Sequence, residues 1–408
     1  MLYTSIKIEE VNMNPKDKSF IKELLMERDI NKVLEIFKKK SNQYDKCIII
    51  YFDICYNASY EQFKGFSVND FSVYGIANYE NAFLLDKVQC EGLQRTVKAG
   101  RVINLDLNII QYLNKIVNNR KVDNEDEFIQ YLAKIKDYKM TLNISTALIE
   151  RITTIYENTS VFDEQILSYV KFETLSKITK EKLQENMALP ESKYQWAYKM
   201  SKTVKDYKST IRYPEVIAIQ ALIMKSFLLK VNKNLSKKEK VKELIKFCLI
   251  DLNIFMENEL FLCSLYLNED PKIKRTFEKI ESFSKDTIKR INNISWDLAH
   301  IRLTEKQMIN DLKNGEIIFH YFGTYDVGLK NIININPVIM MGLLDEEPII
   351  FRKYSIESID LFDENMLNYY TNIIEKRSKE KTTEEQAKQI HLSVKEEINQ
   401  LQNEYFNK

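Results

Sequence analysis

The sequence predicts an α/β protein in which helices predominate, and three observations favour this fold class. Glycine and proline are scarce, with 8 Gly and 6 Pro among 408 residues, whereas ordinary chains have roughly 12% of the two together. Strand-like and helix-like segments alternate from residue 99 onward. No glycine occurs between residues 101 and 314, so turns with positive φ should be rare there and helices are expected.

Strand and helix signals follow one another at the start of this region. Residues 101–106 are rich in β-branched side chains and lead into apolar residues at helical spacing between 109 and 117. A second helix is expected from the acidic segment 124–127 onward. Residues 140–144 indicate another strand, with Ser145 as the cap of the helix that follows. This order is typical of a parallel α/β sheet.

Helical signals alone fill residues 160–290, among them a capping box formed by Ser236 and Glu239. The sheet is expected to resume at residues 316–322, where strand-forming residues are grouped. From Thr382 onward, apolar residues recur at spacings of three and four, which predicts an amphipathic helix. That tail helix would dock on the core or on a partner.

The N-terminal region offers fewer signals. A strand is expected at residues 47–52, and the aromatic segment 60–82 has a loop-like pattern to which no role is assigned.

Charge and cysteine content restrict the function classes. The chain has 60 Lys and Arg against 59 Asp and Glu, a net charge of +1, so any site for a polyanion must be local. The five cysteines are odd in number and widely spaced, which favours reduced thiols over disulfides or a zinc site. The first residues lack a signal-peptide pattern, and no segment has the character of a membrane span. A cytoplasmic protein without a membrane partner is expected.

Four acidic residues occupy positions that an α/β fold would bring together. Asp106 ends the first core strand, and Asp326 follows the strand of residues 316–322. Glu150 lies on the helix after the second strand, and Asp297 on a later helix. Hard divalent cations prefer oxygen ligands, and the carboxyl ends of strands in an open α/β sheet converge. The pattern predicts a metal site suited to phosphodiester chemistry.

This arrangement resembles the PIN-like nuclease family. The pattern of that family is an opening strand ending in Asp-x-Asn, a Glu after the second strand, an Asp on a later helix, and Thr-x-Asp after the fourth strand. The matching residues are, in chain order, Asp106 with Asn108, Glu150, Asp297, and Thr324 with Asp326. Residues 99–160 and 290–340 carry the resemblance, which implies a PIN-like parallel sheet flanked by helices.

The resemblance implies a metal-dependent endonuclease. The four acids would ligate Mg²⁺ or Mn²⁺ and activate water against a phosphodiester, usually of RNA, with single-stranded DNA as a further substrate. Asn108 and Thr324 would orient ligands or the scissile phosphate. Apart from the resemblance, His300 lies three residues after Asp297 and could either contact phosphate from the same cleft or serve as a core residue. Toxins and phage-defence effectors are biological roles that fit this family.

The resemblance also implies a division of the chain. Residues 1–98 would be an N-terminal extension, 99–165 and 290–355 the two halves of the PIN-like core, 166–289 an all-helical insertion, and 356–408 a C-terminal helical region.

Structural interpretations of the same residues stay open. Asp106 could cap the next helix, and Asp326 could form an Asx turn ahead of Gly328. Glu150 could be a solvated surface residue. Asp53 is a weaker rival for the first acid because no Asn follows two residues later.

The remaining alternatives concern partners and function. Lys237, Lys238, Lys240 and Lys242 could hold backbone phosphates, or they could form an ordinary solvated helix face. The tail helix could bind a protein partner or a second copy of the chain. The competing functions are a catalytically inert interaction module on a PIN-like sheet and a metal-dependent phosphatase.

Overall fold

The computed structural model of the chain describes residues 15–27, 29–52, 63–90, 98–154, 160–210, 214–377 and 382–407. Within these residues, nine strands form two sheets, and most of the other residues are helical. The predicted α/β class is confirmed. Among the described residues, no helix combines the length and apolar character that crossing a membrane requires.

The strands are β1 (Cys47–Tyr51), β2 (Phe66–Val68), β3 (Phe71–Gly75), β4 (Phe83–Asp86), β5 (Lys98–Leu105), β6 (Thr141–Asn143), β7 (Glu316–Thr324), β8 (Val338–Leu344) and β9 (Glu347–Arg352).

The helices are α1 (Pro15–Met26), α2 (Ile30–Lys40), α3 (Lys87–Cys90), α4 (Leu107–Val117), α5 (Glu125–Asp137), α6 (Ser145–Thr154), α7 (Ser160–Thr174), α8 (Lys180–Gln184), α9 (Glu191–Thr210), α10 (Pro214–Val231), α11 (Lys237–Lys246), α12 (Glu257–Asn268), α13 (Pro271–Phe277), α14 (Thr287–Lys313), α15 (Val327–Ile335), α16 (Glu364–Lys376) and α17 (Glu384–Phe406).

The larger sheet has the strand order β2-β3-β7-β5-β6. Strand β5 pairs in parallel with both β6 and β7, as the alternation of strands and helices predicts. Strand β3 is antiparallel to β7 and to β2. The sheet is therefore mixed: three strands are parallel, and the N-terminal segment of unassigned role supplies an antiparallel pair at one edge.

The smaller sheet is antiparallel throughout, with the order β4-β1-β8-β9. The strand predicted at residues 47–52 is confirmed as β1. Strand β1 pairs with β4 on one side and with β8 on the other, where Ile49 is opposite Gly342. Residues near the N-terminus and residues 338–352 thus share one sheet, a long-range pairing that the sequence does not indicate.

Local helix signals agree with the structure. In the described part of residues 160–313, every regular element is helical. Helix α11 begins with the predicted capping box, in which the Ser236 side chain and Glu239 satisfy each other's backbone N–H groups. Ser145 begins α6, but the cap comes from Asn143, whose Oδ1 accepts a hydrogen bond from the Ser145 backbone N–H at 3.0 Å. None of the four cysteines among the described residues forms a disulfide.

A buried chain of hydrogen bonds fixes the 27-residue helix α14 against the larger sheet. Asn143 Nδ2 donates to Asn104 Oδ1 at 2.8 Å, and Asn104 Nδ2 donates to His320 Nδ1 at 3.2 Å. Because Nδ1 accepts, the ring proton lies on Nε2, which donates to Asp311 Oδ2 of α14 at 2.8 Å. This network crosses β6, β5 and β7 in turn and sets the position of α14 over their surface.

A second anchor holds α14 to the helical region. Arg302 Nε and Nη2 donate to the two carboxylate oxygens of Glu259 at 2.8 and 2.7 Å. Glu259 is only 2% exposed, and a buried carboxylate of this kind requires such a bidentate partner. Helix α14 is therefore tied to the sheet by Asp311 and to α12 by Arg302.

The tail helix α17 docks on the core. It begins with a capping box at Thr383 and packs along α10, with Ala387, Val394 and Ile398 buried. Leu392 and Leu401 face outward. The apolar spacing of the tail therefore serves an intramolecular contact, and binding of a partner by its outer face stays a prediction.

Ile398→Ala is expected to lower the free energy of unfolding by about 2 to 4 kcal/mol, because it leaves a cavity between α17 and α10. Leu392→Ala, at a side chain 54% exposed, should change it by less than about 0.5 kcal/mol. Chemical denaturation of both variants measures the difference. Equal effects of the two substitutions would contradict the docked position of the helix.

Candidate metal centre

Asp106 follows β5 directly and faces the end of β7. It occupies the N-cap position of α4, but its side chain makes no cap hydrogen bond. Instead, Asp106 Oδ2 accepts from Thr324 Oγ1 at 2.7 Å and from Asn108 Nδ2 at 3.1 Å. The carboxylate is 7% exposed. The two residues predicted to orient ligands thus hold the Asp106 side chain in place.

Glu150 of α6 and His300 of α14 approach Asp106 from neighbouring helices. One ligand atom from each of these three residues lies within 4.8 Å of those from the other two. Ligand atoms about 2.0 to 2.3 Å from a shared cation are roughly 3 to 4.5 Å apart. The Glu150 side chain is 17% exposed, so it does not form a solvated surface site. The three side chains lie close enough together to be candidate ligands of one cation.

His300 has a ring nitrogen whose contacts are incomplete. Its Nε2 lies 3.2 Å from Glu150 Oε2, within ion-pair distance. The two groups lack the alignment of a hydrogen bond, and Nε2 is buried without an aligned partner among the described residues. Buried polar atoms are normally paired, and a neutral imidazole nitrogen is a common metal ligand. This nitrogen is therefore suited to completing a metal centre.

Asp297 lies on α14, one turn before His300, and is half-buried. Burial raises the pKa of its carboxyl well above the usual value, and the charges of Asp326, Asp106 and Glu150 add to the rise. The other three acids predicted from the sequence thus lie close enough to Asp297 for their charges to act on it. Asp297 and Asp326 stand outside the tight group of three.

Asp326 has the structural role that its position ahead of Gly328 predicts as an alternative. It is the N-cap of α15, and its Oδ1 accepts from the backbone N–H groups of Gly328 and Leu329 at 2.5 and 3.3 Å. The Asx turn is therefore confirmed. The Asp326 backbone N–H also donates to Thr324 Oγ1 at 2.9 Å, so Thr324 connects Asp326 with Asp106.

Neighbours within the tight group shift the pKa values of Asp106 and His300. Burial raises the pKa of Asp106; His300 opposes this rise and Glu150 adds to it. Burial alone would lower the pKa of His300, but contact with Glu150 and the charge of Asp106 outweigh it, and the pKa is raised. A divalent cation would offset the negative charge of the two carboxylates.

Two other predictions concern the four lysines of the proposed nucleic-acid contact and Asp53. The four lysines of the proposed nucleic-acid contact all make contacts within the chain. Their partners are Glu269 for Lys237, Asp363 for Lys238, the Lys230 carbonyl oxygen for Lys240, and the Tyr369 ring for Lys242. The pairing is electrostatically significant at Glu269, where hydrogen bonds from Lys237 and Lys230 lower the pKa to about 2. Asp53, the rival first acid, lies outside the described residues.

One residue of the site has no signal in the sequence. The Tyr74 hydroxyl of β3 is buried near Asp106, Asp297 and Asp326. Burial is the main cause that raises the pKa of the phenol, and the charges of the three acids add to the rise. Its segment reads as an aromatic loop in the sequence. Only the pairing of β3 with β7 places Tyr74 beside the acids.

No protein-family model, curated protein or solved structure matches this chain.

Asp297→Asn is expected to stabilise the metal-free protein at neutral and alkaline pH. A folded-state pKa above the unfolded value costs stability increasingly as the pH rises above about 4, where the unfolded carboxyl ionises. The amide removes this cost, so the free energy of unfolding at pH 8 should rise by about 1 to 2 kcal/mol. The gain should vanish near pH 4.

The measurement is denaturation in EDTA between pH 4 and pH 8. Asp123→Asn, at an exposed turn position, is the control and should follow the wild type throughout. A constant difference between Asp297→Asn and wild type across this range would contradict repulsion within the acidic site.

Proposed function

We propose that this protein is a metal-dependent nuclease that hydrolyses phosphodiester bonds, with RNA as the main substrate and single-stranded DNA as a second one. The observation that carries the proposal is the approach of Asp106, Glu150 and His300 to within 4.8 Å of one another at the carboxyl ends of parallel strands. This edge is where open α/β sheets commonly bind their ligands.

The residues present fit a manganese or magnesium centre. Asp106, Glu150 and His300 would hold the ion, which would polarise a phosphoryl oxygen and lower the pKa of a bound water. The imidazole donor favours Mn²⁺ over Mg²⁺, because nitrogen ligands bind Mg²⁺ less well than oxygen ligands do.

The other residues would position the ligands and move protons. Thr324 and Asn108 both bond Asp106 Oδ2 and so keep the carboxylate in one orientation. Asp297 has a raised pKa, which suits a general base that accepts a proton from attacking water near neutral pH. Asp326 adds negative charge at the edge of the site while its Oδ1 caps α15.

A PIN-like core forms part of the proposal. The parallel strands β6, β5 and β7 and the acids at their carboxyl ends support it. Residues 166–289, which include the larger part of α7 and all of helices α8 to α13, would then form the insertion that separates the second acid from the third. The antiparallel strands β2 and β3 would be an addition to that core. A PIN-like nuclease of this kind would act as a toxin or as a phage-defence effector.

One observation favours a competitor, a metal-dependent phosphatase. Asp106 and His300 are 7% and 4% exposed, so a small phosphoester would reach them more readily than a folded polynucleotide would. Substrate comparison separates the two enzymes, and an absence of metal binding would leave the inert interaction module.

Asp106→Asn is expected to reduce Mn²⁺-dependent cleavage of single-stranded RNA at least about 100-fold, because a neutral amide binds the cation weakly. Asp86→Asn is the matched control: Asp86 is also buried, at 3% exposure, but belongs to the smaller sheet. It should retain activity close to wild type.

Cleavage of labelled RNA and DNA oligonucleotides, with p-nitrophenyl phosphate in parallel, measures these outcomes. Activity on the small ester alone would favour the phosphatase. Full activity of Asp106→Asn on RNA would remove this site from the mechanism.

A further inference from the structure

Tyr74 lies on the face of the larger sheet that carries the acidic site. In the antiparallel pairing of β3 with β7, Ser72 is opposite Thr324 and Tyr74 is opposite Phe322. Side chains of paired residues project to the same face, and residues two apart share a face. The Thr324 hydroxyl bonds Asp106. The Tyr74 side chain therefore projects toward the same side of the sheet as the Asp106 carboxylate.

The Tyr74 hydroxyl is buried and has no hydrogen-bond partner among the described residues. Neighbouring buried tyrosines do have partners. Tyr79, Tyr131 and Tyr321 donate to the carbonyl oxygens of His320, Ser72 and Phe63, respectively. Leaving a buried hydroxyl without a partner is unfavourable. Because this unpaired donor also lies beside the acidic site, it is available to a ligand bound there.

The surroundings of the hydroxyl indicate what that ligand is. Burial and the charges of Asp106, Asp297 and Asp326 raise the pKa of Tyr74, so the phenol keeps its proton at neutral pH and can donate it. The acids themselves offer only acceptors when ionised. Once a divalent cation offsets their charge, an anion can enter, and Tyr74 is a neutral donor beside it.

We propose that the Tyr74 hydroxyl donates a hydrogen bond to a phosphoryl oxygen of the metal-bound substrate, as a catalytic residue contributed by the antiparallel edge of the sheet. The inference rests on the proposed function of this site. The hydrogen bond strengthens as negative charge builds on the phosphoryl oxygens during attack by water. Tyr74 would thus stabilise the transition state more than the bound substrate.

The test uses the full chain with Tyr74→Phe, which removes one oxygen and keeps the ring that packs 6.3 Å from Phe322. Tyr51→Phe is the matched control. The Tyr51 hydroxyl of β1 is likewise buried without a partner, but it lies in the smaller sheet. Because neither hydroxyl loses a partner in the protein, both variants should keep the melting temperature of wild type.

Calorimetric titration of inorganic phosphate into the Mn²⁺-loaded proteins is the first readout. Tyr74→Phe should raise the dissociation constant for phosphate about tenfold. Its affinity for Mn²⁺ should be unchanged. On RNA, kcat should fall on the order of 10- to 100-fold with a smaller change in KM. Tyr51→Phe should match wild type in every measurement.

The outcomes separate this inference from the function on which it rests. Equal phosphate affinity in Tyr74→Phe and wild type would overturn the inference, even if RNA cleavage is confirmed. A Tyr74-dependent loss of phosphate binding in a protein that cleaves no nucleic acid would support the Tyr74 contact and refute the nuclease. A parallel loss of Mn²⁺ affinity and melting temperature in Tyr74→Phe would assign the hydroxyl a structural role instead. A wild type that binds no Mn²⁺ would overturn both.

Discussion

The burial of several carboxylates at one sheet edge is the constraint on which the rest of the site depends. Water screens charge poorly there, so burial and the neighbouring carboxylates raise the pKa values of Asp106 and Asp297. Each acid comes from a different element, and only a rigid frame can hold them together against their repulsion. The energy needed to keep that arrangement must come from packing elsewhere in the fold.

That frame is built around α14. On one side, His320 and Asp311 tie the helix to β7 through buried hydrogen bonds. On the other, Arg302 ties it to α12 through Glu259. Both contacts lie on the same helix as Asp297 and His300, which fixes how far those two side chains reach toward Asp106. The helical region and the sheet are thus coupled through the element that completes the candidate metal centre.

Local chemistry explains which parts of this arrangement could be predicted. Strands β5 and β7 are apolar runs with acids at their ends, and α11 carries its capping box within four residues. Such signals depend only on neighbours in sequence. Asp326 has both the structural and the functional role that the sequence suggests, because the same carboxylate caps α15 and adds charge to the site. The lysine-rich face was ambiguous since its acidic partners, such as Asp363, lie far away in sequence.

The sequence by itself determined the helical and strand elements of the parallel core and named the four acids, because periodicity and strand-end position are local properties. Tertiary structure alone decided that β3 adds an antiparallel edge and places Tyr74 beside those acids. It also decided that His300 belongs to the tight group with Asp106 and Glu150. Strand pairing and helix docking are set by the burial of surfaces that are distant in sequence. Short sequence patterns do not predict such contacts.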